Sequence, residues 1–390
     1  MEDPHVNIGG EDMVLIEELG LKPIINAAGN LTILGGSTLE DEVLEAMKEA
    51  SKVYLDMNEL HIKAGQYIAK LIGVEDAYIT CGAGAGIALS VAACIIRNRP
   101  DRRGTFPHIQ DLRHEVIVQK QHRNFYDYII EIPGAKIKEI GTENKTTEND
   151  LINAINDKTC AVMYFVFDPQ EGVLPLDKVI KISHSFNIPV VVDAAAEVPP
   201  RENLKKFYEM GADLILFSGG KDIGAPNDTG LILGRREFVE LCRKLGPHSY
   251  EKVDGKTRIY IGRPMKTSKE DIFAVVAAIK RYLSIDEKTR LKKWEDKVDY
   301  IISELINAGI RNVAKIYPSG FGHSRPACIP RVEIYPPHNG NAEKLLTQLR
   351  QYDPPIYAYT FENKLYISPQ CLRDGEEKIV AEALKKILRE

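Results

Sequence analysis

Residues 159–167 (TCAVMYFVF) form a nearly continuous apolar run, as expected for a strand covered on both faces. Shorter runs at 77–80, 115–119, 189–193 (PVVVD), 213–217 (DLILF) and 230–234 (GLILG) read as further strands. Between them the apolar positions change to helical spacing. Leu39, Val43, Leu44 and Met47 mark a helix over 38–53, and others are predicted over 61–72, 87–96, 176–186 and 204–210. A helix, an extended piece at 23–28 and a loop at 29–37 come first. Strands alternating with helices predict an α/β domain around a mostly parallel sheet. Beyond about Lys266 the texture changes. A charged helical stretch at 268–306 is followed by strands near 314–317, 331–334 and 365–368 and helices at 341–349 and 376–388, a smaller α+β domain. The division is therefore an N-terminal arm (1–20), a large domain (21–266) and a C-terminal domain (267–390).

Composition narrows the function. With 44% hydrophobic and 27% charged residues, the 390-residue chain has the balance of a soluble globular protein. A net charge of −5 and no long basic run give no nucleic-acid footprint. No apolar run is long enough for a membrane span, and the acidic, polar start lacks a signal-peptide core. The 6 cysteines (81, 94, 160, 242, 328, 371) are scattered without zinc spacing. Reduced thiols, a cytoplasmic location and no metal site are expected.

In such a sheet, ligands bind beyond the carboxyl ends of the strands, and three features fall there. Lys221, in SGGKDIGAPNDTG, follows an apolar strand and sits among glycines that let a ligand approach closely. A P-loop is excluded, because Asp222 stands where that motif needs Ser or Thr. Asp193 ends PVVVD, where a carboxylate either caps a helix or pairs with a cation. A protonated pyridine nitrogen is such a cation, and the small Ala194–Ala196 stretch lets a flat ring lie close, with Ala195 against it. In CGAGAG, the backbone N–H groups of Gly82, Ala83, Gly84 and Ala85 make a phosphate site at a helix N-terminus. A dinucleotide site would need an acidic strand end about twenty residues on, where this chain has NRPDRRGTFP. His122, just past HEVIVQK, is placed to cover a ring, and Gln121 competes for that role. Phosphate loop, stacking residue, strand-end aspartate and strand-end lysine, in that order, define the large domain of aspartate-aminotransferase-like enzymes. Their cofactor is pyridoxal 5′-phosphate (PLP).

The segments INAAGNLTILGGSTL, ELHIKAGQYIAKLIGVEDAYITCGAGAGIALSVAACI, VVVDAAAEVPP and DLILFSGGKDIGAPNDTGLILGRRE resemble the selenocysteine synthase (seryl-tRNA selenium transferase)-like PLP enzymes. Within that group they are nearest to D-glucosaminate-6-phosphate ammonia-lyase-like proteins. The resemblance implies the fold type I PLP architecture, with Lys221 as the Schiff-base lysine and Asp193 as the pyridinium partner. Ser218, Gly220 and Thr229 are further cofactor-binding candidates, with Asn227 beside them. Only about twenty residues precede the matching core, so tRNA binding is not expected.

The expected activity is α,β-elimination (dehydration and deamination) of a β-hydroxy amino acid or amino-sugar acid, giving a keto acid and ammonia. Other reactions at Cα or Cβ remain open: β-replacement, aldol cleavage, racemisation or transamination. Selenium transfer to seryl-tRNA is a further alternative. An acidic substrate needs cations, and Arg263, Lys266 and Arg373 are the candidates. His61, Lys63 and Gln66 are expected to line the entrance. The fold implies a homodimer or larger homo-oligomer.

Overall fold

The structure, a computed structural model, describes residues 14–166, 171–318, 325–337 and 340–389. Its contacts divide the chain into a large unit, 35–285, and a smaller one joining the segment up to Leu34 to 286–390.

The large unit is built on seven strands: β1 (Asp76–Thr80), β2 (Glu115–Gln119), β3 (Lys136–Ile140), β4 (Thr159–Phe165), β5 (Val190–Asp193), β6 (Leu214–Ser218) and β7 (Gly230–Gly234). Their order is β1-β7-β6-β5-β4-β2-β3. All neighbours are parallel except β7, which runs antiparallel to both β1 and β6. Alternate residues feed opposite cores. Val190 and Val192 join one, with Ile215 and Phe217, while Val191, Leu214 and Leu216 join the other. Burial on both faces explains why these strands read as unbroken apolar runs. The helix Gly82–Ile96 lies on the second face with Arg236–Leu245.

Helix Lys269–Ser284 belongs to this unit, although the sequence boundary falls at 266. Its Ile272, Val275, Ala278 and Ile279 share the first core with Val43 and with Ile68 of helix Met57–Ile72. The stretch 268–306, read as one helix, is two: Lys269–Ser284 and Glu287–Asn307, separated at Ile285 and Asp286.

In the smaller unit, four antiparallel strands run in the order Val313–Ile316, Arg331–Ile334, Lys364–Ile367, Tyr359–Phe361. Helices Glu287–Asn307, Ala342–Arg350 and Glu376–Ile387 share one core with them. The extended piece near residue 25 belongs here, because Ile25–Asn26 pairs in parallel with Ile356–Tyr357. No helix among the described residues is long and apolar enough to cross a membrane.

Candidate active site

The site candidates of the large unit gather where the parallel strands end. β7 starts at that same edge because it runs the other way, so Gly230 pairs with both Thr80 and Ser218. This register brings the start of the loop at 81 together with the end of the lysine loop.

The first residues of CGAGAG are already helical. The helix starts at Gly82, whose φ of 87° favours glycine, and no side chain caps it. Gly82–Ala85 are partly accessible. Their N–H groups lack intrahelical partners by position, so four donors and the positive end of the helix dipole face the strand edge. The Thr80 hydroxyl donates to the Gly82 carbonyl at 2.8 Å and fixes the turn. Gly230 lets two backbones meet: a Cβ there would lie 2.5 Å from the Gly82 carbonyl carbon.

Lys221 sits on a tight loop. The Gly219 N–H donates to the Thr229 carbonyl and the Ala225 N–H to the Gly219 carbonyl, both at 2.9 Å. A Cβ on Gly219 would meet the Thr229 hydroxyl at 2.1 Å, and one on Gly220 would meet the Asn227 Cα at 2.3 Å. The glycines before the lysine are therefore required by close packing. Thr229 is fully buried, and its hydroxyl donates to the Pro226 carbonyl at 2.7 Å. Ser218 is partly exposed, and its N–H reaches the Ala195 carbonyl at 3.2 Å. That bond ties the lysine loop to the segment following Asp193.

Asp193 Oδ1 accepts from the Ala195 N–H at 2.9 Å. Burial pushes the Asp193 carboxyl above the usual carboxylate range, while this N–H and the Lys221 charge pull it back. Asp193 and Lys221 thus act on one another electrostatically. A cationic ring nitrogen against Asp193 would offset the cost of its burial. With phosphate donors at Gly82–Ala85 and an amine on a glycine-flanked loop, the residues present fit PLP.

His122 is 2% exposed, and burial lowers its pKa to about 4. Its ring packs edge-on against Tyr164, with centroids 4.5 Å apart. Gln121 is committed elsewhere. Its Nε2 donates to the Gly172 carbonyl at 3.2 Å and its Oε1 accepts from the Thr146 hydroxyl at 2.7 Å. Arg263 and Lys266 are exposed. Arg373 is exposed on the smaller unit, ahead of helix Glu376–Ile387.

Of the three residues expected at the entrance, His61 is corrected by its burial. His61 is 2% exposed and packs inside against Tyr78 and His248. Lys63 and Gln66 are exposed on the same helix, with Lys63 paired to Glu59 at 2.9 Å. A site neighbour the sequence reading overlooked is the Gly36–Ser37 turn, whose Ser37 N–H donates to the Gly220 carbonyl at 3.0 Å. Its signal was the Gly35-Gly36 pair, which no strand or helix explains.

Comparison with known proteins places the chain in a family. The aminotransferase class-V family matches residues 39–319. The chain is 31% identical to a 5′-C-glycyluridine monooxygenase-decarboxylase of Streptomyces, over 95% of this chain and 91% of that one. It is 30% identical to the D-glucosaminate-6-phosphate ammonia lyase of Salmonella typhimurium, over 96% and 97%. An L-seryl-tRNA(Sec) selenium transferase of Alkaliphilus oremlandii is 23% identical, over 95% and 83%. A solved structure of D-glucosaminate-6-phosphate ammonia-lyase superposes with a TM-score of 0.79 at 28% identity, covering 96% of this chain and 98% of that one. The resemblance expected from the sequence is borne out: the chain belongs to the class-V aminotransferase family, PLP-dependent enzymes of fold type I.

Proposed function

We propose that the protein is an ammonia lyase that eliminates water from a β-hydroxy amino acid or amino-sugar acid and releases a keto acid and ammonia. The observation carrying this reading is the 30% identity to D-glucosaminate-6-phosphate ammonia lyase over nearly the full length of both chains. A buried Asp193 within electrostatic reach of Lys221 suits the chemistry it needs.

PLP, when bound, supplies an electron sink for negative charge at the substrate Cα. Lys221 would hold the cofactor, and its Nζ is the base that would take the Cα proton. Asp193 holds the ring nitrogen protonated. Gly82–Ala85 anchor the phosphate with backbone N–H groups. Ser218, Gly220 and Thr229 shape the loop that aims Lys221. His122, kept neutral by burial, is the residue that would cover the ring, with Ala195 as the other candidate against it. Arg263 and Lys266 receive the acid groups of the substrate, with Arg373 as the smaller unit's candidate. The water lost with the β-hydroxyl is regained when the nitrogen is hydrolysed, so no external oxidant is required.

A homodimer or larger assembly is part of this reading. Tyr54, Ile62, Tyr67 and Phe125 are large hydrophobic side chains exposed on the large unit.

The test is ammonia and keto-acid release from D-glucosaminate 6-phosphate and from simpler β-hydroxy amino acids. Release from one of them without oxygen uptake is expected. The 31% identity to a monooxygenase-decarboxylase favours a second reading, oxygen-dependent decarboxylation. Oxygen consumption with carbon dioxide release and no ammonia would establish that reading instead.

A further inference from the structure

Two histidines lie outside the chemistry above, His61 buried and His248 half-buried. His61 comes from helix Met57–Ile72 and His248 from the segment after helix Arg236–Leu245. Their rings stand 5.1 Å apart, and the His61 ring is 4.9 Å from that of Tyr78 in β1. Both reach the same residue, Thr267, which is 3% exposed. The Thr267 hydroxyl lies 3.2 Å from His61 Nε2, and the Thr267 backbone hydrogen-bonds His248.

Thr267 is one foot of a short arch. The other foot is Gly262, whose N–H donates to the Leu245 carbonyl at 2.9 Å. A Cβ on Gly262 would come within 2.4 Å of that oxygen, so this foot is fixed by contact between backbones. Between the feet, the Met265 N–H turns back to the Gly262 carbonyl at 2.8 Å. Arg263 and Lys266 project from the arch into solvent. Both cations act on His248 and help hold its pKa down, after burial. Asp271, one turn into the following helix, acts with Asp228 on the Cys81 thiol.

A flexible segment bearing two long cations would lose entropy on gripping an anion, whereas a pinned one presents them ready-made. We propose that His61 and His248 are positioning residues that pin Thr267, so that Arg263 and Lys266 form a preorganised clamp for the carboxylate or phosphate of the substrate. This rests on the proposed reading of Arg263 and Lys266 as substrate-binding residues. Burial also keeps His61 neutral, its pKa lowered to about 3, so the clamp holds its geometry across the neutral range.

The test uses the PLP-loaded enzyme, with inorganic phosphate as probe, calorimetry for affinity and hydrogen exchange for residues 262–268. His61→Leu fills the space without the hydrogen bond and should weaken phosphate binding about tenfold. Exchange of the arch amides should rise while cofactor absorbance stays unchanged. His61→Gln restores a hydrogen-bonding group, able to donate or accept, and should recover most of the affinity. In H61L/R263Q the loss should be smaller than the sum of the two single losses, because both act through one clamp. Unchanged arch exchange and unchanged phosphate affinity in H61L would overturn the positioning role. Wild-type phosphate affinity in R263Q and K266Q would instead overturn the reading of the two cations, and arch exchange would still decide the role of His61.

Discussion

Replacing Gly230 with alanine should damage cofactor binding without touching any side chain that does chemistry. The added Cβ would lie 2.5 Å from the Gly82 carbonyl carbon and 2.7 Å from the Ala83 nitrogen. Ordinary contact begins at 3.4 Å, and both neighbours are backbone, so the helix start must retreat by about 0.9 Å. Overpacking of this kind costs about 1–3 kcal/mol of stability. The larger effect falls on the phosphate. A hydrogen bond to a charged group contributes about 1.5–3 kcal/mol, so misaligning one amide donor should weaken PLP binding by about ten- to a hundredfold. The assay is titration of apo G230A with PLP, followed by visible absorbance, beside a thermal melt. Gly84→Ala is the control, since its Cβ meets only the flexible end of Ile129, at 3.1 Å. G84A should melt like the wild type. If G230A bound PLP as tightly as the wild type, the cradle at 82–85 would not be the phosphate site.

Two further outcomes concern stability. Burial lowers His61 to about 3 and His122 to about 4, both below the 6.5 of a free imidazole. The unfolded chain then binds more protons than the folded one, so stability falls as pH drops from about 6.5 towards 4 and is level above that window. His122→Phe should flatten this acid slope, with at most about 3 kcal/mol at stake, as read from denaturant midpoints across pH. An unchanged slope would contradict neutral burial of His122. Gln119, 1% exposed, donates to the Leu174 carbonyl at 3.1 Å and accepts from the Leu174 N–H at 2.8 Å. Gln119→Leu leaves both groups buried without that partner and should cost about 1–3 kcal/mol in urea unfolding, and a change near zero would mean that water replaces the amide.

What the sequence disclosed and what it hid have physical reasons. Strands buried on both faces announce themselves as apolar runs, and Asp193 and Lys221 stand out because each follows such a run. The direction of a strand leaves no such mark. GLILG reads only as a strand, yet its antiparallel course is what brings Gly230 against the phosphate cradle. Local glycine content suggested a loop at CGAGAG, whereas packing on the sheet makes it the first turns of a helix. Side-chain commitments across long separations were also out of reach. Gln121 and His122 are neighbours in sequence, and only the placement of Thr146 and Gly172 occupies the first. His61 falls on the buried face of helix Met57–Ile72 with Ala64 and Ile68, but nothing local reveals that Tyr78, His248 and Thr267 lie around it.

The central claim is that Lys221 carries PLP. The direct measurement is to load the purified protein with PLP, record its visible absorbance, reduce it with borohydride and map the pyridoxyl-modified peptide by mass spectrometry. A yellow protein labelled at Lys221, and a Lys221→Ala variant that takes up no label, are the predicted results. A label on any other lysine, or no label on a protein that is folded and mixed with PLP, would contradict the assignment.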